Sequence, residues 1–184
     1  MEKKNKIINL KNDKKIKLRT IERMDLESIW GNFNEVIDEG MFLPTFDKVN
    51  TAYERRSWYE DLLDCNNICV VAEDIENKTP NNIIGQCTIE SIQWEASTHV
   101  GILGIIIRKD YRNIGLGEKI VNHAIEIAKK NGKKKIILST FDNNQAAILL
   151  YEKLGFQKVG CHKKHFLMNN VYIDEINMEK WIED

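Results

Sequence analysis

Proline is almost absent from this chain, with two residues in 184, and there are only ten glycines. Low-complexity tracts are missing too, which leaves little room for long disordered linkers. The chain also lacks an excess of either charge: 27 Lys and Arg against 28 Asp and Glu give a net charge of −1. That balance removes the electrostatic footprint of a dedicated nucleic-acid binder, although a local basic patch is compatible with it. No apolar run reaches the length of a membrane span, and the longest, over residues 101–107, is strand-sized. Met1-Glu2-Lys3-Lys4-Asn5-Lys6 is charged but precedes no long apolar segment, so no secretory leader is expected. The four cysteines, Cys65, Cys69, Cys87 and Cys161, have no CxxC spacing and no His at zinc-finger distance. They read as free thiols of a reduced, cytoplasmic compartment.

What is present is an ordered series of periodic segments. Residues 1–15 are rich in Lys and Asn and read as a frayed or turn-rich lead-in. Residues 16–22 alternate in part and predict a strand. Asp25 can cap a helix to about residue 38, with Leu26, Ile29, Trp30, Phe33 and Ile37 on one stripe. Residues 40–50, broken by Pro44, are a loop, and Thr51 can cap a second helix to about residue 63. The period then changes to two. Residues 68–73 and 83–93 predict antiparallel strands, and residues 98–108 a third that is apolar on both faces and therefore central. Residues 115–131 have helical spacing and stop at Gly132. Residues 135–140 predict a strand, 144–154 a helix, and 156–166 and 171–180 two strands around a turn at Met168, Asn169 and Asn170. The order β-α-α-β-β-β-α-β-α-β-β contains one strand–helix–strand crossover. It implies a single α/β (α+β) domain over residues 1–184, with parallel strands in the middle.

The most informative local signal is Arg112-Asn113-Ile114-Gly115-Leu116-Gly117, between a strand and a helix start. A helix start leaves backbone N–H groups unpaired and carries partial positive charge. Gly115 and Gly117 have no Cβ, so a phosphate can approach the backbone, and the pattern suits a pyrophosphate. It is not a P-loop, because Glu118 stands where Lys is needed, and it is not GxGxxG. On this loop alone, a strand–helix turn without a ligand is the alternative.

One strand later comes Asn144-Gln-Ala-Ala147-Ile-Leu-Leu150-Tyr151-Glu-Lys153-Leu-Gly155-Phe156. The two stretches together resemble the GNAT superfamily of N-acetyltransferases, whose coenzyme A loop reads R/Q-x-x-G-x-G/A and whose next helix reads NxxAxxLYxxxGF. The resemblance covers about residues 100–160. It implies a mixed, mostly antiparallel sheet of about 6–7 strands, with two parallel strands that splay apart and about four flanking helices. It also implies acetyl-CoA as cosubstrate, and no metal. The pyrophosphate would lie on the N–H groups of Arg112, Asn113, Ile114, Gly115, Leu116, Gly117 and Glu118, and the pantetheine arm along Ile105, Ile106 and Ile107. Asn144, Tyr151 and Lys153 would complete the cofactor contacts, with helix capping an equal reading for Asn144.

The chemistry implied is direct acetyl transfer to a primary amine. Tyr151 matches the family's acid, and a phenol of ordinary pKa about 10 keeps its proton at neutral pH for the departing sulfur. The base is open, because Ile102 occupies the strand position where many members carry Glu. Glu90, Glu73 and Glu39 are candidates acting through water, and His99 is another. The family's acceptor site corresponds here to residues 39–46 and 163–172. Phe42, Phe46, Phe166 and Tyr172 could line an apolar slot there, and Glu39 could pair with a substrate ammonium. His162 and His165 form HxxH, but strand periodicity puts them on opposite faces, so they read as non-metal residues. Lys129, Lys130, Lys133, Lys134 and Lys135 read as solvated charges at a helix C-terminus, with the cofactor's 3′-phosphate or an acidic protein as the alternative. The expected acceptor is a small-molecule amine. A peptide or protein amine is the second reading, and a CoA-binding sensor without turnover the third. No nucleic acid or membrane is expected as a partner, and the chain should be a monomer or a homodimer.

Overall fold

A computed structural model describes residues 5–65, 67–77, 79 and 81–183. Within them the alternating segments become eight strands: β1 (Lys6–Asn9), β2 (Lys15–Thr20), β3 (Ile68–Asp74), β4 (Ile83–Ser91), β5 (Val100–Ile107), β6 (Lys135–Phe141), β7 (Gln157–Met168) and β8 (Val171–Trp181). Segments with helical spacing become α1 (Leu26–Glu39), α2 (Ala52–Asp64), α3 (Leu116–Lys130) and α4 (Gln145–Lys153). The strands form one sheet in the order β1-β2-β3-β4-β5-β6-β8-β7. Neighbours are antiparallel except β5 and β6, the pair joined by the crossover through α3. This mixed α/β architecture is the expected one, with one strand more than foreseen.

The additional strand is β1, in the stretch expected to be frayed. Ile8 and Leu10 are buried, and a turn with Asp13 at φ 63 folds β1 back along β2. Two inward apolar side chains hold this short segment, too few for its periodicity to stand out in sequence.

Both faces of the sheet carry a core. Leu116, Ile120, Val121 and Ala124 of α3, with Tyr151 of α4, pack on Val70, Ile89, Leu103 and Ile136. On the other face Leu26, Ile29 and Trp30 of α1 pack on Cys69, Val71 and Ile83. Each fully buried side chain of this size stabilises the fold by roughly 1.5–3 kcal/mol. Thr51 caps α2 as expected, accepting from the Glu54 N–H in a capping box. Asp25 works differently from expectation. It accepts from the Glu22 N–H at 2.7 Å and binds the Arg19 guanidinium through both oxygens, so a short 3₁₀ turn precedes α1.

Two features of β5 position the site. Its pairing with β6 is confined to Val100, Gly101 and Ile102 against Lys135, Ile136 and Ile137. Beyond that point β5 follows β4 as far as Ile107 and β6 follows β8 as far as Phe141, so the two parallel strands part. In addition, β5 is central but covered on one side only. Leu103 is buried under α3, while Ile102 on the opposite face is 43% exposed. The expected two-sided burial fails because α1 and α2 cover β3 and β4 and leave the middle of β5 open.

The basic run at the end of α3 also divides. Lys134 and Lys135 pair with Glu183 and Glu179. Lys133 is buried, and its ammonium donates to Ser91 Oγ at 2.9 Å, Thr98 O at 2.8 Å and Val100 O at 3.1 Å. Burial lowers its pKa, and its three bonds tie the entry of β5 to the end of β4. Lys133→Ala should therefore lower stability by about 2–4 kcal/mol, read as a lower urea midpoint at unchanged m value.

Candidate active site

After β5 the chain makes a 3₁₀ turn over Lys109–Tyr111 and reaches the R-x-x-G-x-G loop. Asn113 and Gly115 have positive φ, 62° and 90°, and Gly115 is the left-handed N-cap of α3. A Cβ at Gly115 would meet nothing within 4 Å, so glycine is needed there for conformation. At Gly117 the reason is packing, since a Cβ would lie 2.9 Å from Leu150 Cδ2. Gly117 thus lets α3 begin close against α4, a role the loop pattern alone did not disclose. The loop is also held from the N-terminal hairpin, where the Lys11 N–H donates to Ile114 O at 3.3 Å.

Arg112 and Glu39, assigned above to different ligands, are bound to each other. The guanidinium donates to both Glu39 oxygens, at 2.7 and 2.5 Å, and through Nε to Ile107 O at 2.9 Å. It also lies 4.8 Å from the centre of the Phe42 ring. Arg112 holds the Glu39 carboxyl below the usual carboxylate range. The expected open carboxylate for a substrate ammonium is therefore already engaged, and the bridge ties the end of α1 to the R-x-x-G-x-G loop. Nearby, Lys153 at the end of α4 pairs with Glu118 in the first turn of α3 at 2.6 Å. Asn144 caps α4 by accepting from the Ala147 N–H at 3.3 Å.

The groups with perturbed protonation lie on opposite faces of the parted strands. Tyr151 is 5% exposed on the α3/α4 side, edge-on to Phe156, and burial raises its pKa above the phenol norm. Glu90 pairs in register with Ile102, and Ile102 with Ile137, so Glu90 projects from the other face, at the point where the strands part. Desolvation raises its pKa although one side remains open to solvent. Ile105 and Ile107 pack into the α3/α4 core, whereas Ile106 lies across from Gln86. Gln86, Thr88 and Glu90 therefore form a polar row on the open face. Gln86 is buried, and its Oε1 has no partner among the described residues. Sequence reading missed Gln86, and strand alternation from Glu90 was the signal that could have found it.

Other candidates go elsewhere. Glu73 accepts from Arg19 and Asn82 at the other end of the β3–β4 pair, and the His99 ring contacts Trp181. The expected aromatic slot does not form. Phe166 stacks against Phe141 at 4.9 Å beside Met168 and Ile173, while Phe46 is largely exposed. Tyr172 is likewise exposed, and it turns to the opposite face from Ile173 because strand side chains alternate. The hairpin does reach the site, since Gly40 at the end of α1 approaches Asn169 at the hairpin turn. His162 and His165 are not on opposite faces. Lys164 at φ 52 inserts a bulge, and the two rings lie 5.1 Å apart beside Glu175. A cavity of about 630 Å³ runs along α3 between β1 and β8, away from the parted strands.

A helix start beside two parallel strands that part is the arrangement that the resemblance implies for an acyltransferase using coenzyme A thioesters, and a helix N-terminus suits the phosphates of such a ligand. The chain belongs to the GNAT acetyltransferase family: the family model described as "Acetyltransferase (GNAT) family" matches residues 35–156. It resembles the L-amino acid N-acetyltransferase AaaT of Escherichia coli K12, with 29% identity over 67% of this chain and 74% of that protein. An acetyltransferase of the GNAT family from Streptococcus pneumoniae has the same fold, with a TM-score of 0.80 and 28% identity over 91% of this chain and 99% of the other. A phosphinothricin acetyltransferase from Sinorhizobium meliloti, solved with acetyl-CoA, has a TM-score of 0.81 and 19% identity over 89% and 86% of the two chains. The protein is an acyltransferase that moves acetyl from acetyl-CoA to an amino group. Among the described residues, no helix is long and apolar enough to cross a membrane.

The Glu39–Arg112 pair makes stability depend on pH. Because the folded-state pKa of Glu39 lies below its ordinary 4.5, the pair's contribution is present above that value and is lost as pH falls through the depressed one. Wild type should exceed Glu39→Gln in stability by a constant margin between about pH 6 and 8. The margin should close as denaturation is followed into the acid range.

Proposed function

We propose that this enzyme acetylates the primary amine of a small molecule by direct transfer, with Tyr151 as general acid and Glu90 as general base acting through water. The observation that carries the reading is the placement of these two groups on opposite faces of the gap between β5 and β6. Bound acetyl-CoA supplies the activated acyl group. Backbone N–H groups from Arg112 to Glu118 would hold its pyrophosphate, and the open backbone edge of Ile105, Ile106 and Ile107 would pair with its extended arm. An N–H on that edge donates to the acyl oxygen as charge grows there. Tyr151, kept protonated by burial, gives its proton to the departing sulfur from the α3/α4 side. Glu90 takes the amine's proton from the open face, and Gln86 Oε1 accepts a hydrogen bond from the incoming N–H. Direct transfer needs no nucleophilic cysteine, and burial pushes the Cys69 and Cys87 thiols up, which keeps those two protonated.

A small acceptor suits an open face closed at one end. The Arg112–Glu39 bridge and the approach of Gly40 to Asn169 bring the α1 end, the R-x-x-G-x-G loop and the hairpin turn together at one end of the open face, which favours a small acceptor over a polypeptide. The resemblance to an L-amino acid N-acetyltransferase agrees with this class. With its cysteines as free thiols, the enzyme would work in the cytoplasm, as a monomer or homodimer.

The test is a thermal-shift titration with acetyl-CoA followed by thiol-release assays over amino acids, other small amines and peptides. A raised melting temperature with release on a small amine supports the reading. Release on peptides alone moves the acceptor to proteins, and binding without release on any amine leaves a sensor. Tyr151→Phe should keep acetyl-CoA affinity and lose about 10- to 1000-fold in kcat. The acid limb of the kcat/KM profile should lie above the ordinary Glu pKa of 4.5 and vanish in Glu90→Gln. Unchanged turnover in either variant removes the role assigned to that residue.

A further inference from the structure

Strand β7 breaks its own period once. Regular alternation would put His162 and Lys164 on one face and Lys163 and His165 on the other. Asp174 prevents this: it accepts from the Lys163 ammonium at 2.6 Å and from the Lys164 backbone N–H at 2.7 Å. These bonds hold Lys164 at φ 52, a left-handed conformation unusual for lysine, and the register between β7 and β8 shifts between His162 and Phe166. As a result His165 returns to the face of His162, directly over Glu175 of β8.

We propose that His162, His165 and Glu175 bind a divalent transition-metal ion of the Zn²⁺ class. Each residue offers one ligand atom, and the three atoms lie within 4.8 Å of one another. Glu175 Oε2 is 2.8 Å from His162 Nδ1 and 3.6 Å from His165 Nε2. In a tetrahedral site with ligand bonds of about 2.0–2.1 Å, donor atoms lie about 3.3 Å apart, so small side-chain rotations suffice. Two imidazoles and one carboxylate are a donor set that transition metals favour over Mg²⁺ or Ca²⁺. Glu175 is mostly buried and accepts a hydrogen bond from Ser139, which orients the carboxylate from behind as outer partners do in metal sites. The two rings are about half exposed, so an ion can enter from solvent and keep a fourth position open. Glu175 is in register with Phe141 at the end of β6, on the face that Glu90 also occupies. The ion would sit at the rim of the open face. Its binding needs no turnover and is independent of the acceptor's identity.

The test uses the full, untagged, reduced chain without acetyl-CoA. Zn²⁺ is titrated in competition with a chromogenic chelator, and Co²⁺ binding is followed by visible absorption. One equivalent should bind to wild type, to His99→Ala and to Cys65→Ser. Affinity should fall about tenfold or more in each of His162→Ala, His165→Ala and Glu175→Gln, since even outer partners of metal ligands cost 10- to 100-fold. Unchanged far-UV circular dichroism and metal-free melting temperature would show that the variants are folded. Equal Zn²⁺ affinity in wild type and the His162→Ala/His165→Ala double variant would overturn the proposal. So would a thiolate-to-cobalt band in the ultraviolet, or no binding to wild type up to millimolar Zn²⁺.

Discussion

The structure depends on an interruption in backbone pairing. Parallel strands β5 and β6 share hydrogen bonds over three residue pairs and then part, while each keeps its other neighbour. Unpaired backbone groups in the middle of a sheet are costly unless a ligand or water satisfies them. The fold keeps the gap open by anchoring both sides. α3 and α4 pack beneath it, with Gly117 letting the two helices approach closely. Lys133 fixes the entry to β5, and the β7–β8 hairpin holds the outer flank of β6. In the mechanism proposed above, the gap would let an acid on one face protonate the departing sulfur and a base on the other take the amine's proton without competing for space.

Charge pairs do much of the positioning around that gap. Arg112 carries a guanidinium into the R-x-x-G-x-G loop but engages it with Glu39 and Phe42. Asp174 spends its carboxylate on the local shape of β7. Neither residue shows its partner in sequence, because the pairings span elements: Glu39 and Arg112 are 73 residues apart. Such partners depend on the closed sheet rather than on local periodicity.

That distinction explains how much could be read in advance. The strands and helices from α1 onward were legible because each repeats its apolar pattern over several turns or several strand positions. The R-x-x-G-x-G loop and the NxxAxxLY helix were legible because their spacing is local. The β1 hairpin was not, having too few apolar positions to show a period. The HxxH pair was misread for a physical reason: strand alternation is a sound rule, and a bulge at Lys164 suspends it. The open face of β5 was missed because an apolar run reads as buried on both sides, whereas here Ile102 faces the space in front of the gap. The aromatic slot failed because Phe166 found Phe141, a neighbour supplied by sheet order and invisible along the chain.

The loop over Arg112 to Gly115 is gripped by residues far from it in the chain. Lys11 donates to Ile114 from the N-terminal hairpin, and Glu39 holds Arg112 from the end of α1. Forming both contacts requires loop closures of about a hundred and about seventy residues, which lie late in folding because their entropy cost comes before any reward. A nascent or partly unfolded chain can form α3 and still lack the shaped loop. With acetyl-CoA held on this loop as proposed, its tight binding would report that the sheet has closed from its first strand onward, and by mass action it would protect finished molecules from reopening.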